Sequence, residues 1–262
     1  MITSLRRCRN ESLRAGRRRL IIALVVRRLH VPKLIAGEVP LDAAQLRHAR
    51  DVLRLGEGAK VQVFDDLGAV ASGTLLFSGR RNAAVRVEKI EAPRSDATRL
   101  TIASAVPKGE RADWMVEKLS ELGVFAFVPL AAARSVVLPQ GTAKRQRWVR
   151  IATEAAKQSR RLGVMQVGEL MPLQRVLSES VRVGKLPLVL STSAEAMPIA
   201  RAMLSLAHAS ELIVFVGPEG GWTTEEQSAF QDAGAVGARL TGTILRIETA
   251  AVAAAAVVQS LL

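Results

Sequence analysis

Between residues 29 and 93 apolar and polar positions alternate in short runs. Lys60-Val61-Gln62-Val63-Phe64 has a period of two, and residues 69–77 and 83–90 are rich in β-branched side chains. A turn cluster, Ser78-Gly79-Arg80-Arg81-Asn82, separates the last two runs. One helix is expected over residues 43–53. The pattern predicts a small β-barrel over residues 27–93, ending in a linker at Ala92-Pro93-Arg94-Ser95-Asp96.

After residue 96 the period changes. Short apolar runs at 99–106, 125–130, 186–190, 212–216 and 238–240 alternate with amphipathic stretches at 112–122, 144–160, 197–207, 224–233 and 248–262. Continuous apolar strands between amphipathic helices predict an α/β domain, residues 96–262, with a parallel sheet covered on both faces.

Two strand ends carry candidate chemistry. The first is Val216-Gly217-Pro218-Glu219-Gly220-Gly221-Trp222-Thr223. Its three glycines let a ligand approach main chain closely, and Thr223 with Glu226 forms a capping-box pattern that marks the next helix start. Loops at the carboxyl ends of parallel strands are where such sheets bind ligands. No Gly-Lys-Ser/Thr and no Gly-x-Gly-x-x-Gly is present, and Glu219 sits where a phosphate cradle would exclude a carboxylate. The loop therefore favours a ligand with little or no phosphate, such as S-adenosylmethionine. A plain strand-to-helix turn has the same outline. The second segment is Leu240-Thr241-Gly242-Thr243-Ile244-Leu245-Arg246-Ile247-Glu248-Thr249-Ala250. Here Arg246 and Glu248 flank a helix start, either as functional groups or as a mutual ion pair. A third segment, Glu154-Ala155-Ala156-Lys157-Gln158-Ser159-Arg160-Arg161, closes a basic helix that reads as a phosphate-binding or a solvated face.

Charge sharpens this picture. The 262-residue chain carries a formal +13, of which +6 lies in residues 1–26 and +7 in the rest. That balance points to a polyanionic partner. Aromatics are 3% with no tyrosine, which argues against an RNA-binding sheet that stacks bases on rings. RNA contact should then rest on charge and shape. Cys8 is the only cysteine, so no internal disulfide or cysteine-based zinc site can form, and His30, His48 and His208 lack metal-ligand spacing. No metal is expected. Residues 1–26 read as a disordered basic extension or a misassigned start, since the apolar run 20–26 is short and ends at Arg27-Arg28. No apolar run is long enough to span a membrane.

Together these segments resemble the SPOUT methyltransferases, and within them the ribosomal RNA small subunit methyltransferase E family, which methylates N3 of a uridine in 16S ribosomal RNA. The matching motifs are Gly217 to Trp222, Ile244 to Ala250, Gln158 to Arg161, and Glu117-Lys118-Leu119-Ser120-Glu121-Leu122-Gly123-Val124, with His48 to Leu55 as the barrel-domain signature. The chain departs from the family pattern at Thr241-Gly242-Thr243, at Ile247 and at Met165. The resemblance implies a PUA-like barrel, a trefoil-knotted parallel α/β domain, a homodimer, a cytoplasmic location and the 30S subunit as partner. It implies S-adenosyl-L-methionine held near Leu190, Thr192, Gly217, Pro218, Glu219, Gly220, Leu240, Gly242, Ile244 and Leu245. Arg246, Arg161 and Glu248 become the catalytic candidates, with Arg246 stabilising charge that develops on the base. Arg27, Arg28, His48, Arg54, Lys108, Arg111, Gln158 and Arg160 become candidate RNA contacts. A ribose 2′-O-methyltransferase of the same superfamily and a non-catalytic RNA-binding assembly factor remain the alternative readings.

Overall fold

The computed structural model describes residues 27–91, 98–139, 141–206 and 209–262. The basic extension, the linker and His208 lie outside the described residues. The first unit comprises β1 (Arg28–His30), β2 (Gly37–Pro40), α1 (Ala43–Arg47), β3 (Lys60–Phe64), β4 (Val70–Ser78) and β5 (Asn82–Glu91). Its five strands lie in the order β1-β3-β4-β5-β2. β1 runs parallel to β3, and the other pairs are antiparallel. The period-two pattern works as expected: Val61 and Val63 face a core with Leu29, Val39, Leu75 and Val85. The expected helix 43–53 is a short α-helix followed by a π-helical turn, His48–Val52, which carries Ala49 into the same core.

The second unit comprises β6 (Arg99–Ser104), α2 (Glu110–Glu121), β7 (Ala126–Ala131), α3 (Thr142–Ser159), β8 (Gln166–Val167), β9 (Met171–Pro172), α4 (Leu173–Arg182), β10 (Leu186–Leu190), β11 (Met197–Pro198), α5 (Ile199–Leu206), β12 (Glu211–Val216), α6 (Thr224–Asp232), β13 (Val236–Arg239) and α7 (Ile247–Leu261). The strand order is β11-β13-β10-β12-β6-β7-β8, all parallel, with β9 also paired to β7. β12 shows why its sequence reads as a continuous apolar run. Leu212, Val214 and Val216 pack on one side with α2, α3, α5 and α7, while Ile213 and Phe215 pack on the other with α4 and α6. Several elements differ from expectation, among them the two-residue strands β8 and β9. The helix expected from residue 197 begins at Ile199, because Met197–Pro198 pairs with β13 at the sheet edge. α4 was not expected at all, although Leu173, Val176, Leu177 and Ser180 are buried at helical spacing.

The two units meet at Arg28, which is buried. Its guanidinium lies 4.5 Å from the Phe64 ring centre, and Nη2 donates to the Arg161 carbonyl at 3.0 Å. Nearby, a Cβ on Gly163 would lie 3.1 Å from the Gly68 nitrogen, so the two chains touch main chain to main chain. Phe64 and Val70 accordingly belong to the core of the second unit.

α2 and α3 are tied by the Asp113 carboxylate. It accepts from Trp148 Nε1 at 2.9 Å and from Lys144 Nζ at 3.0 Å, and it pairs with Arg147 at 2.6 Å. Burial pushes this carboxyl up, but the hydrogen bonds and the two cations outweigh burial and hold it below its ordinary 3.8. A carboxylate depressed in the fold contributes stability above its unfolded value and loses it as pH falls through the folded one. Asp113→Asn should therefore cost about 1–3 kcal/mol at pH 7 in urea unfolding, and the gap to wild type should close below pH 3.8. A gap that stays constant with pH would contradict this.

Candidate active site

Strands β13, β10 and β12 are neighbours, so the loops leaving their carboxyl ends converge. Between them lies a cavity of about 320 Å³. Leu190, Thr192, Gly217, Pro218, Glu219, Gly220, Leu240, Ile244 and Leu245 all line it. Gly242 does not; it is exposed, and the loop there closes on itself through Thr241 Oγ1 donating to the Thr243 carbonyl at 2.8 Å. Glu219 is the only ionisable side chain in the lining, and no lysine or arginine reaches it.

The glycines have geometric reasons. A Cβ on Gly217 would lie 2.9 Å from the Trp222 ring, and Gly221 turns the chain at φ 70° to donate to the Pro218 carbonyl at 2.8 Å. Trp222 is the strut of the loop. Its Nε1 donates to the Leu190 carbonyl at 3.0 Å, tying β10 to β12, and its ring packs edge-on against Phe230 at 4.9 Å. The Thr223–Glu226 capping box is formed, with Thr223 N donating to Glu226 at 2.9 Å and Glu226 N to Thr223 Oγ1 at 3.2 Å. Glu226 does a second job that its local motif does not advertise. Its other oxygen accepts from Ala133 N at 2.8 Å, and beside it Arg134 Nη1 donates to the Gly220 carbonyl at 2.6 Å. The loop after β7 is thus clasped to the glycine loop.

A second cavity of about 220 Å³ adjoins the first. They share Pro218, Glu219 and Ile247, but the second is lined by Lys108, Arg111 and Ser135 as well.

The catalytic candidates separate. Arg246 is exposed at the N-terminus of α7, between Leu245 and Ile247 of the first cavity, and makes no ion pair among the described residues. The alternative of an Arg246–Glu248 ion pair is corrected here. Residues two apart on a helix do not face each other, and buried Glu248 instead pairs with Arg111 of α2 at 3.4 Å. Neither Arg246 nor Glu248 lines either cavity, although Arg246 stands between two residues that line the first. Arg161 lines neither cavity: its Nη1 donates to the Ser120 and Val124 carbonyls at 2.9 Å, closing the end of α2. Burial pushes its pKa down to about 10.

The RNA candidates divide likewise. Arg27, Arg54, Lys108, Gln158 and Arg160 are exposed, whereas Arg28 is a buried junction residue. Burial, and then the charge of Arg160, lower the Arg28 pKa. His48 is half-buried; burial and then Lys157 push it toward the neutral form. Among the described residues no cluster of three or more His, Cys, Asp or Glu is placed to hold a metal, and no helix is long and apolar enough to cross a membrane.

Comparison with known proteins follows the same two units. A family model described as an RNA methyltransferase domain matches residues 94–259, and one described as an RNA methyltransferase PUA domain matches residues 41–88. Ribosomal RNA small subunit methyltransferase E of Bacillus subtilis (strain 168) is 32% identical over 217 residues, 80% of this chain and 85% of that protein. The chain belongs to the ribosomal RNA small subunit methyltransferase E family. The family protein of Mycobacterium bovis is 34% identical over 82% of this chain and 83% of its own. A crystal structure of the family member from Neisseria gonorrhoeae, bound to S-adenosyl methionine, superposes with a TM-score of 0.76 at 27% identity, covering 90% of this chain and 98% of that one. Like its relatives, this family member combines a PUA-like unit with a parallel α/β unit.

Adding one methyl at Gly217 forces the Trp222 indole off its strut. Gly217→Ala should cost about 1–3 kcal/mol and alter the near-ultraviolet circular dichroism of the indole. An unchanged spectrum and unchanged stability would show that the indole is not held there.

Proposed function

We propose that this chain transfers a methyl group from S-adenosyl-L-methionine to N3 of a uridine in 16S ribosomal RNA. The observation that carries this reading is the 320 Å³ cavity at the carboxyl ends of β13, β10 and β12, walled by main chain and aliphatic groups with Glu219 as its sole charge. A nucleoside with a cationic sulfonium suits such a lining. A nucleoside triphosphate suits it less, because among the described residues no lysine or arginine lines this cavity to hold phosphates. The first cavity's contacts would hold this ligand: main chain of Gly217 to Gly220 and of Leu240 to Leu245, with Leu190 and Thr192 opposite. When bound, the group supplies an electrophilic methyl.

The remaining work falls to the chain. Attack by N3 requires loss of its proton, and negative charge then spreads onto the flanking carbonyl oxygens. Arg246, exposed, without an ion pair among the described residues and set at the positive end of α7, is the residue suited to stabilise that charge. Glu248 acts indirectly by orienting Arg111. The barrel, residues 27–93, and the α/β unit, residues 96–262, would share the RNA through Arg27, Arg54, Lys108, Arg111, Gln158 and Arg160. A homodimer is supported by large apolar side chains exposed on or beside elements that pack together: Trp114 on α2, Ile244 before α7, and Leu261 and Leu262 at its end.

Purified protein, incubated with undermethylated 30S subunits and methyl-labelled cofactor, should place label on N3 of a uridine in 16S RNA. Arg246→Ala should reduce the rate by roughly 10²–10³. Label on a ribose 2′-oxygen would favour the other superfamily chemistry, and near-full turnover of Arg246→Ala would remove that residue from the mechanism.

A further inference from the structure

We propose that the second cavity receives the target nucleotide, and that Arg134 makes the shape of its wall depend on what fills the first. The inference rests on the cofactor reading above. The two cavities differ in the charge they offer. The first holds no cation, whereas the second presents Lys108 and Arg111 within about 220 Å³. Arg111 is pre-oriented by Glu248, and Lys108 is exposed with no ion pair among the described residues. An anionic nucleotide would meet one fixed and one adaptable cation. Because Pro218, Glu219 and Ile247 line both cavities, a base seated in the second lies against the same segments that wall the first.

The coupling runs through the loop after β7. Ser135, Val136 and Val137 line the second cavity. The residues immediately before them clasp the first: Ala133 N donates to Glu226 at 2.8 Å, and Arg134 Nη1 donates to the Gly220 carbonyl at 2.6 Å. A Cβ on Gly220 would sit 3.2 Å from Arg134 Cδ and 3.3 Å from its Cβ, so the arginine stem already rests on the Gly220 main chain. A shift of Gly220 toward or away from a ligand would strain or break its contact with Arg134. The loop is also stiff. Ser135 N donates to the Ala132 carbonyl and Ala132 N to Ser135 Oγ, both at 3.0 Å, so displacement of Arg134 passes to Ser135 instead of being absorbed. Arg134 is therefore a positioning residue: it touches neither cavity's ligand, but fixes where the shared wall stands. Coupling of this kind must be reciprocal between the two ligands.

The test uses the full chain, S-adenosylhomocysteine as the probe of the first cavity, and undermethylated 30S subunits as the probe of the second. For wild type, saturating S-adenosylhomocysteine should tighten subunit binding by about 5-fold or more. In Arg134→Ala that ratio should fall below about 2-fold, and Arg134→Lys, which can still reach a carbonyl, should recover part of it. Lys108→Ala should weaken subunit binding with and without the probe while keeping the ratio. A wild-type ratio of one, with S-adenosylhomocysteine bound, would overturn the coupling alone. An Arg134→Ala protein that melts like wild type and keeps the full ratio would do the same. Failure of S-adenosylhomocysteine to bind wild type would overturn both the coupling and the cofactor reading.

Discussion

One hydrogen bond, from the Trp222 indole to the Leu190 carbonyl, joins the ends of the two strands that frame the first cavity. β10 and β12 are already paired along their length, and this bond carries the tie past their last paired residues to the start of the glycine loop. Much else follows from that bond. Gly217 has to be glycine because the indole occupies the space of a Cβ. Phe230 on α6 packs edge-on against the same ring, and the capping box that starts α6 fixes where the ring emerges. Glu226 extends the arrangement outward by holding the loop after β7 as well as the helix start. The site is thus preorganised by side chains that sit behind the ligand-facing atoms.

The same economy appears at the junction of the two units, with arginine in place of tryptophan. Arg28 and Arg161 carry charge into a partly dry interface, which is costly unless each cation has partners. The aromatic face of Phe64 and three main-chain carbonyls meet part of that cost, while Nε and Nη1 of Arg28 and Nε of Arg161 stay buried without a hydrogen-bond partner among the described residues. The close approach of Gly68 and Gly163 lets the two main chains meet there without side chains between them. The barrel is therefore seated on the α/β unit by directional contacts.

The sequence made the regular elements legible because their periods are local. β3 and β10 coincide with their apolar runs, and the glycine loop and its capping box stand where the motif put them. What escaped was long-range or too short for a period. The two-residue strands β8, β9 and β11 exist because a neighbouring strand pairs with them. Arg161 looked like a catalytic cation because its motif is basic, yet its partners at Ser120 and Val124 are 41 and 37 residues away. Glu248 meets Arg111 across 137 residues, and Ala133 meets Glu226 across 93, so neither pairing leaves a mark in local spacing. α4 is a different case: Leu173, Val176 and Leu177 are apolar at helical spacing, so its local pattern does encode it.

The claim on which the functional account turns is that a cation-free, main-chain-lined cavity selects a sulfonium nucleoside over a nucleotide triphosphate. Titration calorimetry of the purified protein with S-adenosylmethionine and, separately, with ATP tests it directly. The account predicts saturable heat with S-adenosylmethionine, lost in Trp222→Ala, and none with ATP. Tight uptake of ATP with no heat from S-adenosylmethionine would contradict it.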